Sequence, residues 1–292
     1  MRMGDDLQYH VDGDLVPASE ATVNVRDRGF MYGDAAFETL RVYGDTLFEW
    51  AAHADRLRRT CETLGFADAL PPAADLRERV AETVAGNDLA DAYAKLSVTR
   101  GVQPGKLTPG EEVDPTVVVY VSPLPRAGVD GERVWDGPAR VATVDAESVP
   151  DSAVPAGAKT HNYLDGILAR LRIRGTDCDE ALRRDAEGYL TEGATSNVFF
   201  VEDGRLLTPT EELPLLPGVT RTVVLELAGE ADLPVETGRY GPERLSEADE
   251  VFVTNSTWEI RPVERVDETA FDVGPVTRRL QRLYDERVEA CY

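Results

Sequence analysis

Apolar and polar positions along the chain change period several times, and each change marks an element. YHVDGDLV, residues 9–16, places short alternating runs on either side of Asp12-Gly13 and predicts a hairpin there. FETLRVYGDTLFEW, residues 37–50, predicts a second hairpin around Gly44-Asp45. From Ala51 to Leu64 the apolar positions recur at helical spacing, and Gly65 stands where a left-handed residue closes a helix. A second helix is predicted over about Ala74 to Ala85, stopped by Gly86-Asn87. AYAKLSVTRG and TVVVYVSPL then read as two strands.

SPLPRAGVDGERVWDGP follows, broken by proline and glycine, and supplies the candidate boundary. We place it at residues 123–131, between a smaller N-terminal α/β domain, 1–122, and a larger C-terminal domain, 132–292. In the second half RVATV is a strand, and NYLDGILARLRIRG is a helix ending at Gly175. EALRRDAEGYLTEG and SNVFFVEDGRLLTP read as strands, the latter turning at Asp203-Gly204. GVTRTVVLELAGE is a helix, DEVFVTNSTWEI a strand running into a turn, and PVTRRLQRLYDERVEACY a C-terminal helix. With no repeat and no βαβαβ alternation, the pattern predicts an α+β architecture in two domains.

Composition narrows the setting. No apolar run reaches bilayer-spanning length, and the opening MRMGDDLQYH is too polar for a secretory signal, so a soluble protein without a membrane partner is expected. Cys61, Cys178 and Cys291 are odd in number and widely spaced; they fit neither a metal site nor a disulfide framework, which points to a reducing cytoplasm. Against 54 acidic residues stand 31 basic ones, a formal net charge of -23, and the only lysines are Lys95, Lys106 and Lys159. Such a shell repels itself in dilute buffer but is screened in molar salt, where the Debye length is roughly 3 Å. An acid-rich, lysine-poor chain therefore points to a salt-loaded, halophilic cytoplasm; the other reading is an ordinary acidic enzyme. Without a basic stripe to meet phosphates, nucleic-acid binding is disfavoured.

Four segments could carry chemistry. In AKTHNYLDG, Lys159 precedes a helix, and a lysine amine becomes a nucleophile where burial or a cationic neighbour lowers its pKa. A lysine at a helix start is ordinarily a solvated charge, but a chain that has replaced nearly all its lysines by arginine weakens that explanation. In YLTEGATSNVFF, Glu192 stands between a strand and a small-residue turn, where a carboxylate could pair with a protonated ring nitrogen. LPGVTR opens a helix whose N–H groups, with the Thr220 hydroxyl, could bind a phosphate. In HADRLRRTCETLG, Arg56 shares a helical face with His53 and Thr60 and suits bidentate phosphate recognition. Taken singly, the last three are equally a turn carboxylate, a capped helix start and one more arginine.

Taken together, these segments resemble the class IV aminotransferases, the fold-type IV pyridoxal-phosphate enzymes, which include branched-chain aminotransferases, D-amino-acid aminotransferases and aminodeoxychorismate lyases. RDRGFMYGDAAFETLRVY, H-x-x-R-L at 53–57, A-K-x-x-N-Y at 158–163, E-G-A-T-S-N-V-F at 192–199, L-P-G-V-T-R at 216–221 and TNSTWEIRPV at 254–263 match in order and spacing nearly end to end. The resemblance implies a two-domain, D-amino-acid aminotransferase-like fold with the active site between the domains, a homodimer whose partner subunit completes the site, and pyridoxal 5'-phosphate as cofactor. Lys159 would form the Schiff base and shuttle a proton between substrate Cα and cofactor C4′, and Glu192 would face the pyridine nitrogen. Tyr163 would bond the phenolic oxygen and Leu216 pack on the ring. Arg56, the N–H groups of Val219 and Thr220, and Ser256 would hold the phosphate, with Asn197 and Thr257 also on the cofactor side.

Substrate choice is less defined. Tyr32, Phe37, Arg41, Tyr93 and Lys95 match substrate-side positions; Tyr32, Arg41 and Tyr93 are branched-chain-like, and Lys95 replaces an arginine of those enzymes. Thr39, where branched-chain enzymes carry glycine, resembles the lyases, in which this threonine is thought to assist elimination, and Cys61 is lyase-like as well. Gly105 and Leu107 stand where D-amino-acid enzymes place an arginine and a histidine, which disfavours that branch. The ranking is amino transfer between an L-amino acid, branched-chain type favoured, and 2-oxoglutarate first, and formation of 4-aminobenzoate and pyruvate from aminodeoxychorismate second. A non-catalytic pyridoxal-phosphate-binding protein is a remote third, since Lys159 and Glu192 are both present.

Overall fold

The computed structural model describes residues 7–126 and 134–292. Residues 127–131 of the expected boundary, like the first six of the opening segment, lie outside them. Two compact units are formed. The first takes residues 7–126 together with Ala158–Asn162 and Ala290–Tyr292, and the second takes residues 134–157 and Tyr163–Glu289. Lys159 thus belongs to the first unit although it follows the boundary by many residues in sequence.

The first unit is built on a six-stranded antiparallel sheet ordered β2-β1-β6-β5-β3-β4. Its strands are β1 (Gln8–Val11), β2 (Asp14–Pro17), β3 (Ala35–Tyr43), β4 (Thr46–Leu47), β5 (Ala92–Thr99) and β6 (Val117–Pro123). Both expected hairpins form. Asp12 and Gly13 have φ of 49° and 109°, Gly44 and Asp45 of 52° and 65°, the left-handed pairs that a tight two-residue hairpin demands. Helices α1 (Arg28–Tyr32), α2 (Trp50–Leu64) and α3 (Ala73–Ala85) complete the unit.

Side chains alternate across a strand, so β3 and β5 divide the sheet into two chemically different faces. Ala36, Leu40 and Val42, with Ala94, Leu96 and Val98, pack beneath Leu57 and Cys61 of α2 and Leu76 and Val80 of α3. On the other face stand Phe37, Thr39 and Arg41, with Thr39 paired opposite Lys95 and Arg41 opposite Tyr93. Ala158–Asn162 runs extended beside β3: the Phe37 N–H donates to the Lys159 carbonyl, and the His161 N–H to the Ala35 carbonyl. The helix expected from Asn162 therefore starts later, as α4 (Leu164–Arg172), because these bonds hold the lysine segment in the β conformation.

The second unit holds a nine-stranded mixed sheet. Its strands are β7 (Ala139–Glu147), β8 (Glu180–Arg184), β9 (Leu190–Gly193), β10 (Asn197–Glu202), β11 (Arg205–Pro209), β12 (Val235–Gly238), β13 (Glu250–Asn255), β14 (Glu259–Val266) and β15 (Thr269–Ala270). They follow the order β12-β11-β10-β13-β14-β7-β8-β9, with β15 on β14. α4 connects the parallel pair β7–β8, and α5 (Val219–Glu230) connects the parallel pair β11–β12. α6 (Glu243–Glu247) and α7 (Pro275–Glu289) complete it. Val141, Leu182, Val198, Phe200, Val253 and Val263 form its core. The turn expected at Asp203-Gly204 joins β10 to β11.

Candidate active site

Lys159 is half-buried in the first unit. Its backbone is fixed at both ends of the residue: its N–H donates to the Thr60 hydroxyl at 3.0 Å, and its carbonyl accepts from Phe37. The ammonium group lies 4.4 Å from the centroid of the Phe37 ring, and that of Lys95 lies 4.5 Å from the same ring. Burial first, and then the charge of Lys159, lowers the pKa of Lys95. The two amines thus share one aromatic ring, with the charge of Lys159 acting on Lys95. Beside them His161 meets the Ser97 hydroxyl at 3.2 Å; burial, followed by Lys95, brings its pKa down to about 4.

The same face of the sheet carries Thr39 and Tyr93, whose hydroxyls are hydrogen-bonded. Arg41 stands further along it. Its guanidinium is buried, donates to the Pro125 carbonyl at 2.8 Å and lies over Tyr43, so its visible contacts are with the end of the sheet rather than with Lys159. Tyr32 ends α1 with the Arg28 guanidinium 5.0 Å over its ring.

Arg56, on the buried stripe of α2 with His53 and Thr60, has a partner that the sequence did not single out. Glu38 points from β3 into the helix-covered face with no exposed surface. It accepts from Arg56 Nε at 2.9 Å and Nη2 at 2.6 Å, and lies 2.7 Å from His53 Nδ1. Burial alone would raise the Glu38 pKa, but the charge and hydrogen bonds of Arg56, with the bond from His53, outweigh it and bring it to about 2. Burial keeps His53 below the ordinary histidine range despite the carboxylate. Cys61 nearby is an inert thiol, its pKa pushed up to about 12 by burial.

The second unit assembles the other expected residues around Glu192, at the end of β9. One of its oxygens accepts from Arg183 Nη2 at 2.9 Å; the other accepts from the Leu216 N–H at 3.1 Å and Asn197 Nδ2 at 3.3 Å. Asn197 also donates to the Leu216 carbonyl at 2.9 Å, tying Glu192 to the LPGVTR turn. Gly218 is needed there for space, since a Cβ would strike the Asn197 side-chain oxygen. As N-cap of α5 it brings no capping side chain, so the first-turn amides of Val219 and Thr220 meet no side-chain acceptor from it.

Two further residues shape this region to which the sequence motifs assigned no role. Asn255 accepts from the Thr257 N–H, the Thr257 hydroxyl and the Trp258 N–H, fixing the turn that carries Ser256, and donates to the Thr195 carbonyl at 3.2 Å. Glu180, fully buried, accepts from the Thr195 N–H and from the hydroxyls of Thr195 and Ser196, holding the turn after Glu192. Tyr163 is the N-cap of α4.

Comparison with known proteins agrees with this chemistry. The family described as amino-transferase class IV matches residues 35–266. A putative branched-chain-amino-acid aminotransferase of Methanocaldococcus jannaschii is 33% identical over 284 residues, covering 96% of each chain. The crystal structure of the branched-chain aminotransferase of Thermoproteus uzoniensis with norvaline superposes with a TM-score of 0.88 at 30% identity, covering 97% of this chain and 95% of that one. The 4-amino-4-deoxychorismate lyase of Pseudomonas aeruginosa superposes with a TM-score of 0.80 at 33% identity, covering 94% and 96%. The chain belongs to the class IV aminotransferases, enzymes that transfer amino groups with pyridoxal phosphate.

Proposed function

We propose that this enzyme moves an amino group between a branched-chain L-amino acid and 2-oxoglutarate, with Lys159 as the amine that bonds the cofactor. The donor set of the structure fits pyridoxal phosphate: an amine on an aromatic face, a carboxylate held by directed donors, an uncapped helix start and a buried guanidinium. When bound, the cofactor supplies an aldehyde for the lysine and a ring that accepts electron density. Lys159 would be the amine that holds the cofactor through its aldehyde carbon, and its side chain would move the proton at substrate Cα. Glu192 would hold the proton on the ring nitrogen, Tyr163 would bond the ring oxygen, and Leu216 would pack against the ring. Arg56, the amides of Val219 and Thr220, and Ser256 would take the phosphate, with Asn197 and Thr257 supporting them.

The observation that carries the amino-transfer reading is the Lys159–Phe37–Lys95 arrangement. It places a second cation beside the reacting amine, where the distal carboxylate of a dicarboxylic keto acid can land. Tyr32, Phe37, Arg41 and Tyr93 complete the substrate side of the proposal. The relatives named for branched-chain substrates support it. One observation favours the lyase as second reading: Thr39 stands opposite Lys95 and is bonded to Tyr93, placing a hydroxyl near the cation. Purified protein given L-leucine and 2-oxoglutarate is expected to form glutamate, and given aminodeoxychorismate no 4-aminobenzoate. The opposite pair of results would overturn the assignment.

The same proposal includes a division into domains 1–122 and 132–292, a homodimer, and a salt-rich cytoplasm as the working environment. The dimer is supported by α4, where Leu164, Ile167, Leu168 and Leu171, spaced along one helical face, are 66%, 54%, 49% and 49% exposed. A second copy of the chain would cover them. The acidic, lysine-poor surface supports the saline setting.

A further inference from the structure

Arg183 occupies a position in β8 where the strand is otherwise closed to water; it is 4% exposed, between Leu182 at 0% and a partly exposed Arg184. An apolar residue would fill such a place without the desolvation penalty of a buried charge, which must be offset by paired groups. The pairing is specific. One arm of the guanidinium reaches Glu192 at 2.9 Å and the Gly193 carbonyl at 3.3 Å, and the other meets the Asp165 carboxylate in the first turn of α4. Its Nε is buried without a hydrogen-bond partner. Arg221 of α5 also acts on Glu192 through charge, but its own arms reach Glu211 and the Pro209 carbonyl. Arg183, by contrast, touches Glu192 directly, guanidinium to carboxylate.

We propose that Arg183 is a positioning residue for amino transfer: by holding Glu192 ionised and aligned, it keeps the shared proton on the ring nitrogen of the cofactor. The inference rests on the reading that Glu192 faces that nitrogen. A guanidinium against a carboxylate makes it a weaker base, so a proton between Glu192 and the ring nitrogen resides on the nitrogen, where it strengthens the ring as an electron sink. Charge balance agrees: Asp165 and Glu192 supply two negative charges, Arg183 and the protonated ring two positive ones. With Arg183 removed, the more basic Glu192 takes the proton and the ring becomes a poorer sink. No other reactant enters, and the proton only changes its resting place.

The test uses holoenzyme loaded with pyridoxal phosphate carrying 15N in the ring, read by 15N NMR. The wild type should show a protonated ring nitrogen. Arg183→Leu should retain the cofactor, move the resonance toward unprotonated pyridine, and lower kcat by roughly tenfold or more with a smaller change in KM; Arg183→Lys should restore part of both. Arg183→Gln, which keeps a donor of similar reach without the charge, decides the matter if the leucine variant does not fold. A folded, loaded Arg183→Leu or Arg183→Gln enzyme whose resonance and kcat match the wild type would overturn the proposal, as would an unprotonated nitrogen in the wild type. Glu192→Gln separates the two levels. If it leaves the resonance in place, the assignment of Glu192 itself fails; if it moves the resonance and the Arg183 variants do not, only the role of Arg183 fails.

Discussion

Glu38 shows how a residue away from the reacting atoms can decide whether they are held. Its carboxylate meets two arms of Arg56 and the ring of His53 inside the helix-covered face, and Thr60, which accepts from the Lys159 N–H, in turn donates to the Arg56 carbonyl. Removing one partner of a buried ion pair leaves an uncompensated charge, at a cost of about 3–5 kcal/mol. Glu38→Gln is therefore expected to lower unfolding stability by an amount of that order, read by urea denaturation, and to weaken pyridoxal-phosphate retention on dialysis. A variant as stable as wild type would remove Glu38 from this role. Lys159, Glu192 and Arg56 stood out in the sequence as candidates because each sits in a motif of restricted spacing. Glu38, Arg183, Glu180 and Asn255 were given no role, because their contacts are set by the fold: 18 residues separate Glu38 from Arg56, and 60 separate Asn255 from Thr195.

Elements were legible where one local signal dominated. The turns at Asp12-Gly13, Gly44-Asp45 and Asp203-Gly204 all hold left-handed residues, and Gly65 closes α2 with φ of 73°. Elsewhere tertiary pairing overrode the local pattern. The lysine segment is claimed by hydrogen bonds to β3, and the helix starts at Leu164 rather than at Asn162. β14 follows a turn and continues through Pro262, with a register shift against β7 between Val263 and Arg265, and this irregularity hid a strand behind a proline. α4 buries Gly166 and Ala169 on one side and presents its leucines and isoleucine on the other. Replacing Ile167 and Leu171 together by glutamate is expected to convert the proposed dimer to a monomer in light scattering. A wild-type monomer at micromolar concentration would refute the dimer.

At the scale of the whole molecule, charge and its titration set the working conditions. All three histidines, His10, His53 and His161, have pKa values lowered in the fold, in each case chiefly by burial. Below the ordinary histidine value of 6.5 the unfolded chain binds protons that the folded chain refuses, so stability falls as pH drops from there, through about 4 for His161. Glu38 acts in a lower window: its depressed pKa stabilises the fold above 4.5, and that contribution is lost as pH falls toward about 2. The thermal midpoint should therefore decline on acidification from neutral pH; an unchanged midpoint between pH 7 and pH 4 would contradict these assignments. With a net charge of -23, the midpoint and the activity are expected to rise from dilute buffer to molar KCl. Full activity and stability in dilute buffer would refute the saline setting. The scarcity of lysine also makes the central claim directly testable, since the chain has only Lys95, Lys106 and Lys159 to offer. Borohydride reduction of the holoenzyme, followed by peptide mass mapping, should find the phosphopyridoxyl adduct on Lys159; an adduct on Lys95 or Lys106 alone, or on no lysine, would contradict the account.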